Sequence, residues 1–202
     1  MPGTRLVVFD LGNVLVPSAG VLPVVAAELG VPTGELAAAY WPDRLAYDLG
    51  GGEDAYWDGV FARLGRVPEP GLRRRVSALD AEKWSLLPPA GQVLLAGLDG
   101  IRLGVLSNAP APLAAAVRAA PWSRAVDVLV FSAELGLVKP DPRIYARADD
   151  AFGTTPRQVV FFDDRADNVA AARAHGWDAH VWVAGTTAAD VLAALAAPDL
   201  PG

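Results

Sequence analysis

Three short apolar runs, each ending in residues that can attack, ligate or hydrogen-bond, constrain this chain more than any other feature. Leu6-Val7-Val8-Phe9 runs into Asp10-Leu11-Gly12-Asn13, Leu103-Gly104-Val105-Leu106 into Ser107-Asn108, and Val159-Val160-Phe161-Phe162 into Asp163-Asp164-Arg165. The runs are continuous rather than alternating, which marks strands covered on both faces. Weaker strands are expected over 126–131 and 179–183. Helical patterns fill 89–98, 111–119, 142–152, 166–175 and 188–196, and Asp141 stands where it can cap the third of these ahead of Pro142. Strand and helix alternating in this way predict an α/β fold, a doubly wound, Rossmann-like parallel sheet with helices on both sides.

The interval 18–83 breaks the alternation. It carries helical patterns at 21–29, 33–40, 43–49, 53–64 and 70–81, with no convincing strand between them. Gly30-Val31-Pro32, Gly50-Gly51-Gly52 and Val67-Pro68-Glu69-Pro70 punctuate it. Such a block reads as an all-helical cap, 18–83, inserted into a core made of 1–17 and 84–202.

Composition narrows the chemistry. A chain of 202 residues suits one domain, or a core with a modest insertion. With 52% hydrophobic and 20% charged residues it can bury a sizeable core, which excludes a disordered chain. A net charge of −6 repels polyanions, so nucleic acid is not an expected partner, whereas a local site can still take a small phosphate ester. Without cysteine there is no disulfide, thiolate metal site or cysteine nucleophile, and His175 and His180 alone cannot build a multi-histidine centre. Met1 to Arg5 lacks the pattern of a signal peptide and no apolar run is long enough to span a membrane, so a cytoplasmic location without a membrane partner is expected. Oligomeric state is not legible in the pattern.

In an open parallel sheet the carboxyl ends of the strands share one edge, and ligands bind in the crevice there. Asp10, Ser107, Asn108, Asp163 and Asp164 should therefore converge, and Gly136-Leu137-Val138-Lys139-Pro140-Asp141-Pro142 brings a lysine to the start of a helix. Carboxylates packed together repel unless a cation compensates. Oxygen-only ligands with retained water suit Mg²⁺. Ser107, the amides behind it and Lys139 could then hold phosphate oxygens, and a carboxylate beside the metal could attack phosphorus. Metal and lysine would stabilise the charge of the transferring group.

Four stretches, Phe9-Asp10-Leu11-Gly12-Asn13-Val14-Leu15, Leu106-Ser107-Asn108, Val138-Lys139-Pro140-Asp141-Pro142-Arg143-Ile144-Tyr145 and Phe161-Phe162-Asp163-Asp164-Arg165-Ala166-Asp167-Asn168-Val169, resemble the ordered motifs of the haloacid dehalogenase-like hydrolases. The helical block resembles that superfamily's cap of the first type, so the likeness covers nearly the whole chain. The Asp-Leu-Gly-Asn opening, with the Asp-Asp pair and Asn168 at the close, is similar to a subgroup of sugar-phosphate phosphatases of the α-glucose-1-phosphate type. The resemblance implies that Asp10 is the nucleophile and a Mg²⁺ ligand, with the Gly12 carbonyl and Asp164 as further ligands. It implies that Ser107 and Asn108 bind the phosphoryl group and that Lys139 neutralises Asp10 and phosphate. Asp163 and Asn168 would stand behind them, orienting Lys139 or metal-bound water.

The expected activity is thus hydrolysis of a small phosphorylated metabolite, a sugar phosphate, through an aspartyl-phosphate. Alternatives are a 2-haloacid dehalogenase, a phosphomutase, or a non-catalytic binding domain of the same fold. One departure matters. Many phosphatases of the superfamily carry an aspartate two residues after the nucleophile as general acid and base, and Gly12 stands there instead. Asn13 does not titrate, so Asp43, Asp48 or Glu53 from the cap, or water, would have to serve. Asp43, Arg44 and Asp48 are the cap residues expected to touch substrate. Tyr40, Trp41, Tyr47, Tyr56 and Trp57 fit core packing better than a sugar platform. Asp141 fits a helix cap, and no role is expected for either histidine.

Overall fold

The structure is a computed structural model describing residues 5–69 and 71–196. Met1 to Thr4 of the leader reading, and Pro70 at the expected start of a cap helix, lie outside the described residues.

All five expected strands form: β1 (Leu6–Phe9), β2 (Arg102–Ser107), β3 (Val128–Phe131), β4 (Val159–Asp163) and β5 (Asp178–Val181). They pair in parallel in the order β3-β2-β1-β4-β5, with Phe9 level with Val105 on one side and Phe162 on the other. The chain first builds outward from β1 through β2 and β3, then returns to add β4 and β5. The switch between β1 and β4 opens the crevice in which such sheets bind ligands.

Two-residue periodicity divides each strand between two apolar clusters. Val7 and Phe9 join Leu94 of α6 (Pro89–Ala96) and Leu113 and Val117 of α7 (Ala111–Ala119). Leu6 and Val8 join Ile144 and Tyr145 of α9 (Pro142–Phe152) and Val169 of α10 (Ala166–His175). A short helix, α8 (Ser132–Leu135), follows β3, and α11 (Ala188–Ala196) returns to the first cluster through Val191. Asp141 caps α9 as expected, its carboxylate accepting from the Arg143 backbone N–H at 2.9 Å. Among the described residues no single helix is long and apolar enough to cross a membrane.

The inserted block is helical throughout: a 3₁₀ turn at Ser18–Gly20, then α1 (Leu22–Leu29), α2 (Thr33–Tyr40), α3 (Arg44–Asp48), α4 (Glu53–Arg63) and α5 (Leu72–Ser85). Helix α5 outruns the expected end at residue 81 because Trp84 is buried in the cap, its indole N–H donating to the Tyr40 hydroxyl at 3.0 Å. Glu82 and Lys83 are good helix formers and carry the helix on to that contact.

The triple glycine after α3 is a docking feature. Gly50 has φ +98° and faces the Ala133 carbonyl on α8, while a Cβ at Gly51 would stand 2.6 Å from the Ala46 carbonyl oxygen. Only bare backbone lets α3 end this tightly and seat against the sheet edge. Gly51→Ala is therefore expected to cost about 1–3 kcal/mol, the scale of overpacking, read as a lowered thermal midpoint. An unchanged midpoint would remove this explanation of the glycines.

Candidate active site

Asp10 follows β1 directly and its backbone N–H still pairs with Phe162 of β4 at 2.9 Å, so the sheet fixes its position. Asp163 ends β4 and Asp164 is next in sequence. Oxygen atoms of these three carboxylates all lie within 4.8 Å of one another. Lys139 enters between two of them: Nζ is 3.0 Å from Asp10 Oδ1, 2.6 Å from Asp163 Oδ2 and donates to the Leu106 carbonyl at 2.8 Å. Lys139 is only 3% exposed, so its ammonium has little recourse to water.

The electrostatics follow from burial. Desolvation pushes the Asp10 carboxyl upward; Lys139 pulls it back, Asp163 pushes it up again, and it comes to rest at about 6. Burial pulls Lys139 downward, but Asp10 and Asp163 together outweigh this and raise it, so it stays charged. One cation thus faces three carboxylates, an excess of negative charge that a bound divalent cation would offset.

The donor set fits such an ion. Asp163 is fully engaged: it accepts from Lys139, from the Arg165 backbone N–H at 2.9 Å, and from Asn168 Nδ2 at 3.0 and 3.1 Å. It is thereby tied to Lys139, and Asp10 and Asp164 are the carboxylates of the three that could turn to an ion. The Gly12 carbonyl accepts no hydrogen bond among the described residues and is open to serve as a third ligand. Asn168 Oδ1 is buried with no partner, while the amide nitrogen is committed to Asp163. An orphan acceptor at this point calls for a donor such as metal-bound water.

Two residues have roles that the sequence pattern did not indicate. Asn13 sits at φ 56°, a conformation asparagine tolerates, and donates from Nδ2 to Asp164 Oδ2 at 3.0 Å. Its Oδ1 accepts from the Ser18 backbone N–H, so it ties Asp164 to the entrance of the cap. Gly12 beside it has no positive φ. A Cβ at Gly12 would meet the Trp84 ring at 3.6 Å, an ordinary contact. Ser132 is the second. It follows β3 as Asp10 follows β1, accepts from the Ala109 N–H at 2.9 Å and donates to the Asp48 carbonyl at 2.5 Å, pinning α3 to the core. A polar residue directly after an apolar strand was the signal available for it.

Ser107 is buried at the end of β2, close enough to Asp10 for its hydroxyl to lower that carboxyl. The Asn108 side chain instead clamps the lysine loop, accepting from the Lys139 N–H at 2.8 Å and donating to the Lys139 carbonyl at 3.0 Å. Its side-chain amide therefore fixes Lys139 in place, while its backbone N–H donates to no protein group among the described residues.

A cavity of about 680 Å³ opens over these groups. The core contributes Asp10, Gly12, Ser107, Lys139, Asp164 and Asn168, the cap contributes Trp41, Arg44, Leu45 and Asp48, and Trp84 comes from the last turn of α5, which runs across the expected boundary at 83. Arg44 and Asp48 thus reach the site, whereas Asp43 turns away to pair with Arg63 on α4 and does not line the cavity. Tyr40, Tyr47, Tyr56 and Trp57 are buried core, and Trp41 alone of the cap aromatics considered is exposed on the cavity wall. His175 pairs with Asp149 at 2.7 Å and His180 with Asp178 at 2.9 Å, both outside the cavity lining.

The chain is similar to several known proteins. The chain is 23% identical over 185 residues to a glyceraldehyde 3-phosphate phosphatase of Methanopyrus kandleri, covering 81% of this chain and 76% of the relative. It is 27% identical over 192 residues to an (S)-2-haloacid dehalogenase of a Pseudomonas species, covering 88% and 84%. A phosphatase of Mycobacterium tuberculosis matches at 37% identity over 84 residues, 41% of this chain but only 39% of that protein's length. The magnesium complex of a HAD family enzyme from Bacteroides thetaiotaomicron superposes with a TM-score of 0.73 at 16% identity, covering 94% of this chain and 98% of the other, a likeness of fold. Residues 4–176 match the haloacid dehalogenase-like hydrolases, and the chain belongs to that family.

Proposed function

We propose that the protein is a Mg²⁺-dependent phosphatase that hydrolyses a small phosphorylated metabolite, a sugar phosphate, through an aspartyl-phosphate on Asp10. The observation that carries this reading is the cluster of Asp10, Asp163 and Asp164 around the single ammonium of Lys139, with Asn168 Oδ1 left without a donor. A 2-haloacid dehalogenase needs no such excess of negative charge, and its carboxylate substrate would be repelled by it. That the relatives include a phosphatase for a three-carbon phosphate supports the substrate class.

In this reading Asp10, Asp164 and the Gly12 carbonyl hold Mg²⁺, which supplies charge stabilisation to the transferring phosphoryl group. The Leu11 N–H, at 2.7 Å, and Lys139 fix the Asp10 carboxylate through Oδ1. An Asp10 oxygen attacks phosphorus while the bond to the leaving oxygen breaks, and the leaving oxygen takes its proton from water. Water then cleaves the acyl phosphate, releasing inorganic phosphate and restoring the carboxylate. Lys139, Ser107 and the Asn108 backbone N–H hold phosphate oxygens. Gly12 offers no proton to the leaving group, which favours substrates whose leaving oxygen is a good one, and an anomeric sugar oxygen is less demanding than a simple alkyl oxygen.

Phosphate release from a panel of sugar phosphates, with Mg²⁺ and after chelation, tests this directly. Mg²⁺-dependent release is expected. Halide release from 2-haloacids without metal, or no phosphate from any member, would overturn the reading. Asp164→Ala is expected to weaken Mg²⁺ binding and activity together, with partial recovery at high Mg²⁺. Asn13→Gly, which keeps the backbone angle and removes the amide holding Asp164, is expected to weaken Mg²⁺ affinity by about tenfold. Unchanged metal affinity by calorimetry in both would displace the site.

A further inference from the structure

The cap side of the cavity carries a buried charge network that the reaction itself does not use. Arg44 Nε donates to Asp48 Oδ1 at 2.8 Å, and its Nη1 lies 3.9 Å from Asp80 Oδ2. Nη1 also donates to the Tyr40 hydroxyl, which in turn donates to Asp80 Oδ1 at 2.9 Å and accepts from the Trp84 indole. Arg44, Asp48 and Asp80 are each at most 8% exposed, so water does little to screen them. Burial raises Asp80 to about 6 against the pull of Arg44, and burial likewise pushes the Tyr40 hydroxyl up, so it stays neutral. One cation therefore faces one or two anions.

The same holds around the whole cavity. Its lining contains three cationic side chains among the described residues: Lys139, Arg44 and Arg165. Lys139 is matched by Asp10 and Asp163, Arg44 by Asp48 and Asp80, and Arg165 by Asp167 at 2.7 Å. Neither buried cation is left over for an anion on the leaving group, and Arg165 stands at the exposed rim. Asp48 Oδ2 has no protein partner among the described residues, so the cap offers a free acceptor where a clamp for anions would offer a free donor. Beside it Trp41 and Leu45, 46% and 58% exposed, supply an apolar strip on the same wall.

We propose that Asp48, backed by Arg44, is the specificity determinant of this cavity, and that it selects phosphate esters whose leaving group is an uncharged polyol and rejects those carrying a carboxylate or a second phosphate. A hydroxyl of the leaving group donates to Asp48 Oδ2, and its C–H face lies on Trp41 and Leu45. An anionic leaving group meets Asp48 with no unmatched buried cation beside it to receive it, and rejection by an unpaired like charge is a strong source of discrimination. The Ser132 bond to the Asp48 carbonyl and the tight turn at Gly51 hold this residue at its station. The inference rests on the phosphatase reading and narrows it.

Matched substrate pairs test it: glucose 1-phosphate against glucuronic acid 1-phosphate, and glycerol 3-phosphate against 3-phosphoglycerate, each with wild type and Asp48→Asn. Wild type is expected to favour the neutral member of each pair by about tenfold or more in kcat/KM, and Asp48→Asn to narrow that preference about tenfold. Comparable use of both members by wild type, or an unchanged preference in the variant, overturns the assignment while leaving the phosphatase reading intact. Release of phosphate from no member overturns both. Should thermal melting show that Asp48→Asn does not fold, inhibition of wild type by glucose against glucuronate decides the matter: the acid binding as tightly as the neutral sugar overturns the proposal.

Discussion

Replacing Asp10 by asparagine is expected to abolish turnover, by at least about 10³-fold, while the fold and phosphate binding persist. The substitution keeps the size of the side chain and an oxygen to accept the Leu11 N–H, now at 2.7 Å. It removes the charge that attacks phosphorus and the one that Lys139 faces at 3.0 Å. Losing a carboxylate from a cluster of three also relieves repulsion, so the thermal midpoint should hold. Steady-state phosphate release by protein checked by mass spectrometry for deamidation is the measurement. Near-normal turnover would sink the nucleophile assignment.

Lys139→Ala should cost stability and activity together. Removing one partner of a buried ion pair leaves the other uncompensated and costs about 3–5 kcal/mol. Here Asp10 and Asp163 both lose their counterion, so a drop in thermal midpoint is expected even before catalysis is assayed. Activity at saturating Mg²⁺ should fall by about 10²–10³-fold, the scale for losing one preorganised donor to developing charge. The sign of the pH effect is fixed. Lys139 lowers the Asp10 carboxyl, so its removal raises it further, and the acidic limb of kcat/KM should move to higher pH. A variant matching wild type in midpoint, rate and pH profile would reduce Lys139 to a solvated loop residue.

Much of this was legible in the sequence because strand ends in a parallel sheet have nowhere else to go. Once Leu6–Phe9 and Val159–Val160-Phe161-Phe162 read as buried strands, Asp10, Asp163 and Asp164 had to meet at one edge. Lys139 was legible through its motif. What was not legible depends on contacts between helices, which periodicity does not specify. Asp43 and Asp48 look alike in the pattern, yet one faces Arg63 and the other lines the cavity, because α3 is too short for its faces to be read. Asp80 lies far from any motif, and only the packing of α2, α3 and α5 brings it to Tyr40 and Arg44. Asn108 carries the composition of a phosphate-binding turn, and its use as a clamp on the lysine loop follows from the approach of Lys139 in space. Asn13 gave a faint signal, since asparagine is enriched where φ is positive.

The central claim is a covalent intermediate on Asp10, and trapping it is the most direct measurement. A substrate found by the panel, labelled at phosphorus, is mixed with excess enzyme and Mg²⁺, quenched in acid during the first turnover, and the protein is digested for peptide mapping. The account predicts label on the peptide that contains Asp10, and none in Asp10→Asn. Label on another residue, or product formed through the first turnover with no label on the protein at any quench time, would contradict it.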